Sequence, residues 1–255
     1  MIRKAFVYTL LAGLLATAAG AQTVDEIIAK NLEARGGKDK IKAVKTLRMS
    51  GKLGLPQGME APFVLELARP NKMRNEFTFQ GMTGVQAFDG KTGWTVMPFM
   101  GKKDPEVVSG EDVKSMEDQA DFDGPLVDYK EKGHQVELVG KETIEGTPAY
   151  KLKVTKKNGD VENHYLDAEQ YLEVRVDGKR KVHGQEMEGE TTLSDYKEVS
   201  GLLFPFSIQT KQKGGGPGGV TLTFDKIEVN PDVPANRFEM PPAEKPAAPQ
   251  APPKQ

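Results

Sequence analysis

The residue best placed to do chemistry is Arg69. Phe63, Leu65, Leu67 and Arg69 fall on one face of a period-2 segment, and Val64, Glu66 and Ala68 fall on the other. A guanidinium carries five N–H donors and no acceptor. In register with three large apolar side chains, it either extends its head to water or holds several carbonyl oxygens at once. The histidines, His134, His164 and His183, lack metal-ligand spacing, and there is no G-x-S-x-G, no H-E-x-x-H and no cysteine. The acids between Glu111 and Asp123 lack the D-x-D-x-D-G order of a calcium loop and fit a solvated helical face. Gly214 to Gly219 lies beside Lys211 and Lys213, but a strand pattern follows it (Val220 to Phe224), whereas a phosphate loop opens a helix. A flexible hairpin tip is expected there. No catalytic residues, metal site or cofactor are expected, which leaves a binding protein.

The elements that must position Arg69 are strands. Residues 61–99 read as an antiparallel meander. Pro70-Asn71 breaks the first strand, Met73, Asn75, Phe77 and Phe79 share a face of the second, and Asp89-Gly90 turns into Gly93 to Met97. Upstream, Thr23 and Glu26 have capping-box spacing before the helical stripe Val24, Ile27, Ile28 and Leu32, and Gly36-Gly37 ends it. A helical turn around Lys38 to Val44 and a strand from Leu47 to Leu55 follow. Residues 101–133 are acidic and lose the period of 2. Ser109 caps a helix that places Val113 and Met116 on one face. Gly124-Pro125 separates it from a second helical piece carrying Phe122, Leu126 and Tyr129. From His134 the chain reads as strands again, with turns at Glu145-Gly146, Asn158-Gly159 and Asp177-Gly178. The fold class is mainly β (α+β): about ten strands form an incomplete antiparallel β-barrel, with an N-terminal helix and a helical lid over its concave apolar face. On that face Phe63, Leu65, Leu67, Phe77, Phe79, Met82, Trp94 and Met97 form either a packed core or a cavity lining.

Composition narrows the setting. Arg3 and Lys4, the apolar stretch Ala5 to Ala18 and Ala19-Gly20-Ala21 have the form of a signal peptide cleaved after Ala21, too short to span a bilayer. Without those two positive charges the chain holds 33 basic and 37 acidic residues, a net charge of −4, which disfavours a nucleic-acid partner. With no cysteine there is no disulfide and no acylated anchor. Residues 22–242 are expected to form one domain, with a disordered Pro/Ala-rich tail over residues 243–255. The chain is expected to be exported to the periplasm as a monomer.

Arg69-Pro70-Asn71, Asp89-Gly90-Lys91-Thr92 with Trp94, Pro98-Phe99 and the closing Phe238-Glu239-Met240-Pro241-Pro242 resemble the periplasmic lipoprotein carrier family (LolA-like, outer-membrane lipoprotein-sorting proteins). The resemblance implies a half-open barrel with a helical lid over an apolar cavity for acyl chains. It implies that Arg69 latches the lid through backbone carbonyls. It also implies acylated lipoproteins or other lipids as cargo, an inner-membrane lipoprotein transporter as donor and an outer-membrane acceptor. A lipid- or envelope-stress-sensing module on the same fold is the alternative. The intervening strands, the glycine-rich hairpin and the extended tail depart from the family pattern.

Overall fold

The computed structural model describes residues 22–182, 185–213 and 219–242. The expected signal peptide, His183, residues 214–218 and the tail lie outside the described residues. Helix α1 (Val24–Ala34) begins with the capping box: the Thr23 hydroxyl accepts from the Glu26 N–H (3.3 Å) and the Glu26 carboxylate accepts from the Thr23 N–H (2.8 Å). Ile27, Ile28 and Leu32 are buried on its inner face. Its end turns at Gly36, whose φ of 112° suits glycine and where a Cβ would stand 2.3 Å from the Gly201 carbonyl oxygen. Helix α2 (Lys38–Ala43) follows directly.

Among the described residues, thirteen strands form one open antiparallel sheet. β1 (Thr46–Leu55), β2 (Met59–Ala68), β3 (Lys72–Phe79), β4 (Met82–Phe88), β5 (Gly93–Met97) and β6 (Lys102–Val107) run outward as consecutive hairpins. β7 (Gln135–Ile144), β8 (Thr147–Thr155), β9 (Val161–Asp167), β10 (Glu173–Val182), β11 (Gln185–Val199), β12 (Leu202–Gln212) and β13 (Val220–Val229) run inward from the opposite edge until β13 pairs with β1. The two edges, β6 and β7, are therefore consecutive in the chain. Segment 108–134 joins them, and its helix α3 (Glu111–Ala120) contacts β3, β4 and β5 on one side of the sheet and β10 on the other. This is an incomplete barrel whose edge-to-edge connection lies across its inner face.

Two corrections concern this segment. Only its first helix exists, and it starts at Glu111 with Gly110 rather than Ser109 at its cap. The stretch carrying Phe122, Leu126 and Tyr129 is a series of turns, because Gly124 at φ 80°, Pro125 and Asp128 at φ 53° interrupt a helical backbone. β6 also formed where no strand was expected. Its sequence, KKDPEV, carries the lysines and proline typical of an edge strand, so it lacks alternation and is ordered by pairing with β5. Asp177 and Gly178 are not a turn: they sit inside β10, paired with Glu190 and Gly189.

The register divides the sheet into two faces. Leu67, Met73, Phe88 and Gly93 are successive cross-strand partners on the inner face. The main apolar cluster joins this face to both N-terminal helices and to Met116, Ala120, Leu126 and Val127 of the crossing segment. A second cluster, with Met49, Phe63, Phe206, Phe224 and Ile227, fills the other end of the same face. Trp94 belongs to the outer face, opposite Ala87. It is 1% exposed beneath the C-terminal segment, and its Nε1 donates to the Phe238 carbonyl at 2.8 Å. Around it Arg237 bridges Glu66 and Glu76 (2.7 Å each), and Arg48 reaches Glu66 at 2.9 Å.

Gly93 is what lets α3 settle on the sheet. A Cβ there would meet Val113 Cγ2 at 2.7 Å, Val108 Cγ2 at 2.8 Å and Met116 Sδ at 3.0 Å. Gly93→Val is expected to push α3 off β5 and destabilise the protein by about 1–3 kcal/mol, the usual cost of overpacking. Urea denaturation checks this, and an unchanged midpoint would show that α3 does not depend on that contact.

Candidate functional site

Arg69 follows the last residue of β2, where the strand ends beneath α2. Its Nε donates to the Val44 carbonyl (2.6 Å) and its Nη2 to the Ile41 carbonyl (3.1 Å), the last carbonyls of α2 and its cap. Nη1 and Nη2 also form a bidentate pair with Asp123 of the crossing segment, at 2.8 and 2.6 Å. The guanidinium carbon stands 4.7 Å from the centre of the Phe122 ring. Arg35 adds a bond to the Asp123 carbonyl at 3.3 Å. One half-buried side chain thus joins β2, α2 and the crossing segment. The carbonyl acceptors belong to α2, while the crossing segment is held through the carboxylate of Asp123, which lies in the acidic stretch expected to be a solvated face.

The other polar ties of the crossing segment lie around its rim. Asp128 pairs with Lys38 and with Lys42 (2.5 Å) on α2, and these hydrogen bonds bring its pKa down to about 2. Asp121 pairs with Lys132 at 2.5 Å. Asp25 of α1 accepts from the Tyr129 hydroxyl (2.7 Å) and pairs with Lys130 (2.8 Å). Beneath this rim the segment is apolar. Met116 and Leu126 are buried, Val113, Phe122 and Tyr129 are half-buried, and all five pack against the main cluster.

The structure brings most of the anticipated face residues together. Phe63, Leu67 and Met97 are buried, and Leu65 and Phe77 are half-buried beside them. Phe79 lies toward the rim against Phe99, with ring centres 6.2 Å apart, and Met82 is exposed there. Trp94 is the exception: glycine at 93 sets the strand phase so that the tryptophan points to the outer face and lines no part of the inner one. The cleft between Ile41, Val44, Phe122 and Leu202–Phe204 encloses about 20 Å³, room for about one water. A surface hollow of about 250 Å³ lies outside this face, among Pro70, Lys72 and Asp89–Lys91. Among the described residues no group of three or more His, Asp or Glu side chains is arranged to hold a metal ion.

This architecture is shared with known proteins. The chain superposes on a LolA superfamily protein from Nitrosomonas europaea with a TM-score of 0.57 at 14% identity, covering 86% of this chain and 98% of that one. A putative outer membrane lipoprotein-sorting protein domain from Vibrio parahaemolyticus matches at 0.56 and 14% identity, over 84% and 95%. A DUF1329 family protein from Desulfovibrio piger matches at 0.53 and 12%, over 86% and 98%. No protein-family model and no curated protein matches the sequence. The fold is therefore that of LolA superfamily proteins, recognised through its architecture at low sequence identity.

An ionic chain, buried at His164 and exposed at Asp118, also anchors α3 to the far half of the sheet. Asp118 of α3 meets Lys156 (3.2 Å), which meets Glu162 (2.7 Å), and Glu162 meets His164 (3.2 Å). His164 closes the chain on Glu173 at 2.5 Å. Burial opposes charge on His164, but the Glu173 carboxylate and the hydrogen bonds to Glu162 and Glu173 outweigh it and raise its pKa from 6.5 to about 9. The folded protein thus binds this proton more tightly than the unfolded chain. That stabilisation is complete below about pH 6.5 and is lost as pH rises through about 9. The urea midpoint is expected to fall between pH 7 and pH 9, and the fall should vanish in His164→Asn. A wild-type midpoint that stays flat over that range would mean that the imidazole is neutral when folded.

Proposed function

We propose that this chain is an exported, monomeric, non-enzymatic carrier that takes acyl chains of lipoproteins onto its inner apolar face and ferries them through the periplasm toward the outer membrane. In this reading residues 1–21 are the signal peptide, residues 22–242 the carrier domain and residues 243–255 a tail. The observation that carries it is Arg69: one side chain closes an apolar face by gripping α2 and the crossing segment together. The shared architecture with a LolA superfamily protein and a lipoprotein-sorting domain supports the same reading. An inner-membrane transporter would load it and an outer-membrane acceptor would unload it.

The energetics suit reversible loading. Each methylene moved from water to an apolar face is worth about 0.8 kcal/mol, so a full acyl chain is held strongly without any charged contact. Entry must displace the crossing segment, and the bonds broken at Arg69 and Asp123 offset part of that gain. The latch therefore sets how readily cargo leaves.

The direct test is native mass spectrometry with lipid extraction on protein purified from the periplasm. Acylated peptides or lipoproteins in the bound fraction are expected. Recovery of an anti-sigma factor in their place would favour a sensing module, and no bound or bindable lipid would sink the proposal. Arg69→Leu is expected to loosen the closed state by about 2 kcal/mol, since it removes the ion pair with Asp123 and the two bonds to the Ile41 and Val44 carbonyls together. Acyl affinity should then rise by at least about tenfold and transfer to acceptor membranes should slow. Unchanged affinity and transfer would remove Arg69 from the mechanism.

A further inference from the structure

On β2, β3 and β4 the inner face is apolar except at one place. Asn75 of β3 stands on it between Leu65 and Gln86, its cross-strand partners. Met73 and Phe77 flank it along the strand, and Phe88 lies beyond Gln86 on β4. Asn75 is 8% exposed, and its carbonyl oxygen is buried without a hydrogen-bond partner. Among the described residues, no side-chain hydrogen bond reaches the amide of either Asn75 or Gln86. The neighbouring polar residue differs: the Thr95 hydroxyl donates to the Val85 carbonyl at 3.0 Å. Asn31, another buried asparagine, donates its amide to the Tyr171 carbonyl at 2.7 Å, while its own carbonyl oxygen, like that of Asn71, is buried without a partner. Asn75 thus holds a buried amide oxygen without a partner among apolar side chains, and Gln86 beside it is a half-buried amide open to solvent. Such a buried oxygen is unfavourable in the closed protein and gains when a matching ligand arrives.

We infer that Asn75 and Gln86 form a subsite for the linkage of an acyl ligand, and that this linkage is an amide. The inference rests on the carrier reading and adds the class of acyl group carried. A primary amide offers both N–H donors and a carbonyl acceptor. A ligand amide offers one N–H and one carbonyl, so it satisfies both kinds of group on the protein. An ester has acceptors only and leaves the Asn75 carbonyl unpaired. A bare hydrocarbon leaves the whole pair unpaired. The buried Asn75 oxygen is the group that discriminates, because it needs a donor and only the amide linkage brings one. Sites built to hydrogen-bond a ligand N–H reject analogues that lack it, because the site's own buried group stays unmet.

The test uses the full mature chain and two probes that differ by one N–H against one O: N-palmitoyl-glycine methyl ester and palmitoyl glycolate methyl ester. Each displaces a fluorescent fatty acid. Wild type is expected to bind the amide at least about tenfold more tightly than the ester. Asn75→Leu should bring the ratio close to one by weakening amide binding, with ester binding equal or tighter. Its urea midpoint should not fall, since an unpaired amide has been removed. Gln86→Leu should reduce the ratio less, since Gln86 is less buried. Equal binding of the two probes by wild type would overturn the inference and leave the carrier reading standing. A preference that survives in Asn75→Leu would also overturn it. Failure of both probes to bind wild type would overturn the carrier reading and this inference together.

Discussion

A sheet with one apolar face must cover that face, and here the connectivity determines how. The strands are laid down as hairpins outward from β1 to one edge, and then from the opposite edge back to β13. The chain must therefore travel from edge to edge at one point, between β6 and β7. The apolar side chains of that connection make the inner face the favourable route, because crossing there buries Met116, Leu126 and Val127 against the sheet. The cover is thus a consequence of strand order. It closes a barrel that the sheet leaves open, and it is attached to the sheet by packing and by ion pairs, without a backbone ladder.

That mode of attachment separates two kinds of stability. The sheet is held by ladder bonds and by a C-terminal strap on its outer face, where Arg237, Glu66, Glu76 and Trp94 are tied together. Those hydrogen bonds and ion pairs join the strap to the sheet and do not run through the crossing segment, so they can persist while the cover moves. The cover is held by apolar contacts beneath it and by polar ties at its rim, Arg69–Asp123 foremost. Half-exposed ion pairs each contribute little, about 1 kcal/mol or less. Several acting around one rim hold a defined closed geometry that still opens at modest cost.

Much of this was legible in the sequence, and the reasons divide by range. Thr23 and Glu26 announced α1 because a capping box is a local contest settled within four residues. The alternation through β2 and β3 announced the meander because a half-buried strand writes its faces into successive residues. β6 was illegible because an edge strand borrows its order from a neighbour. Asp177-Gly178 misled because the same dipeptide that makes a turn is also tolerated inside a twisted pair, and only the partner strand decides. Trp94 misled because its face depends on the phase of a five-residue strand counted from Gly93. Asp123 was hidden for a different reason. In composition it is one acid among many, and only folding shows that it alone meets the guanidinium of Arg69. Arg69 itself was visible, since an arginine in phase with a row of large apolar residues is anomalous before any partner is known.

The closed interior and a carrying role fit together through the magnitudes involved. The cleft beneath Phe122 holds about 20 Å³, room for about one water and none for an acyl chain. An empty apolar chamber would forgo the dispersion contacts that its walls make when they meet, and a water-filled one would expose those walls to the solvent that folding removes. Packing the cover onto the face avoids both. Cargo then exchanges one set of apolar contacts for another, and the net gain is the difference between burying the acyl chain and uncovering Met116, Phe122 and Leu126. That difference is far smaller than the burial energy of either alone. Binding of this kind is reversible by construction: the cover is itself a competitor for the face, and the cargo leaves when an acceptor offers a somewhat better surface.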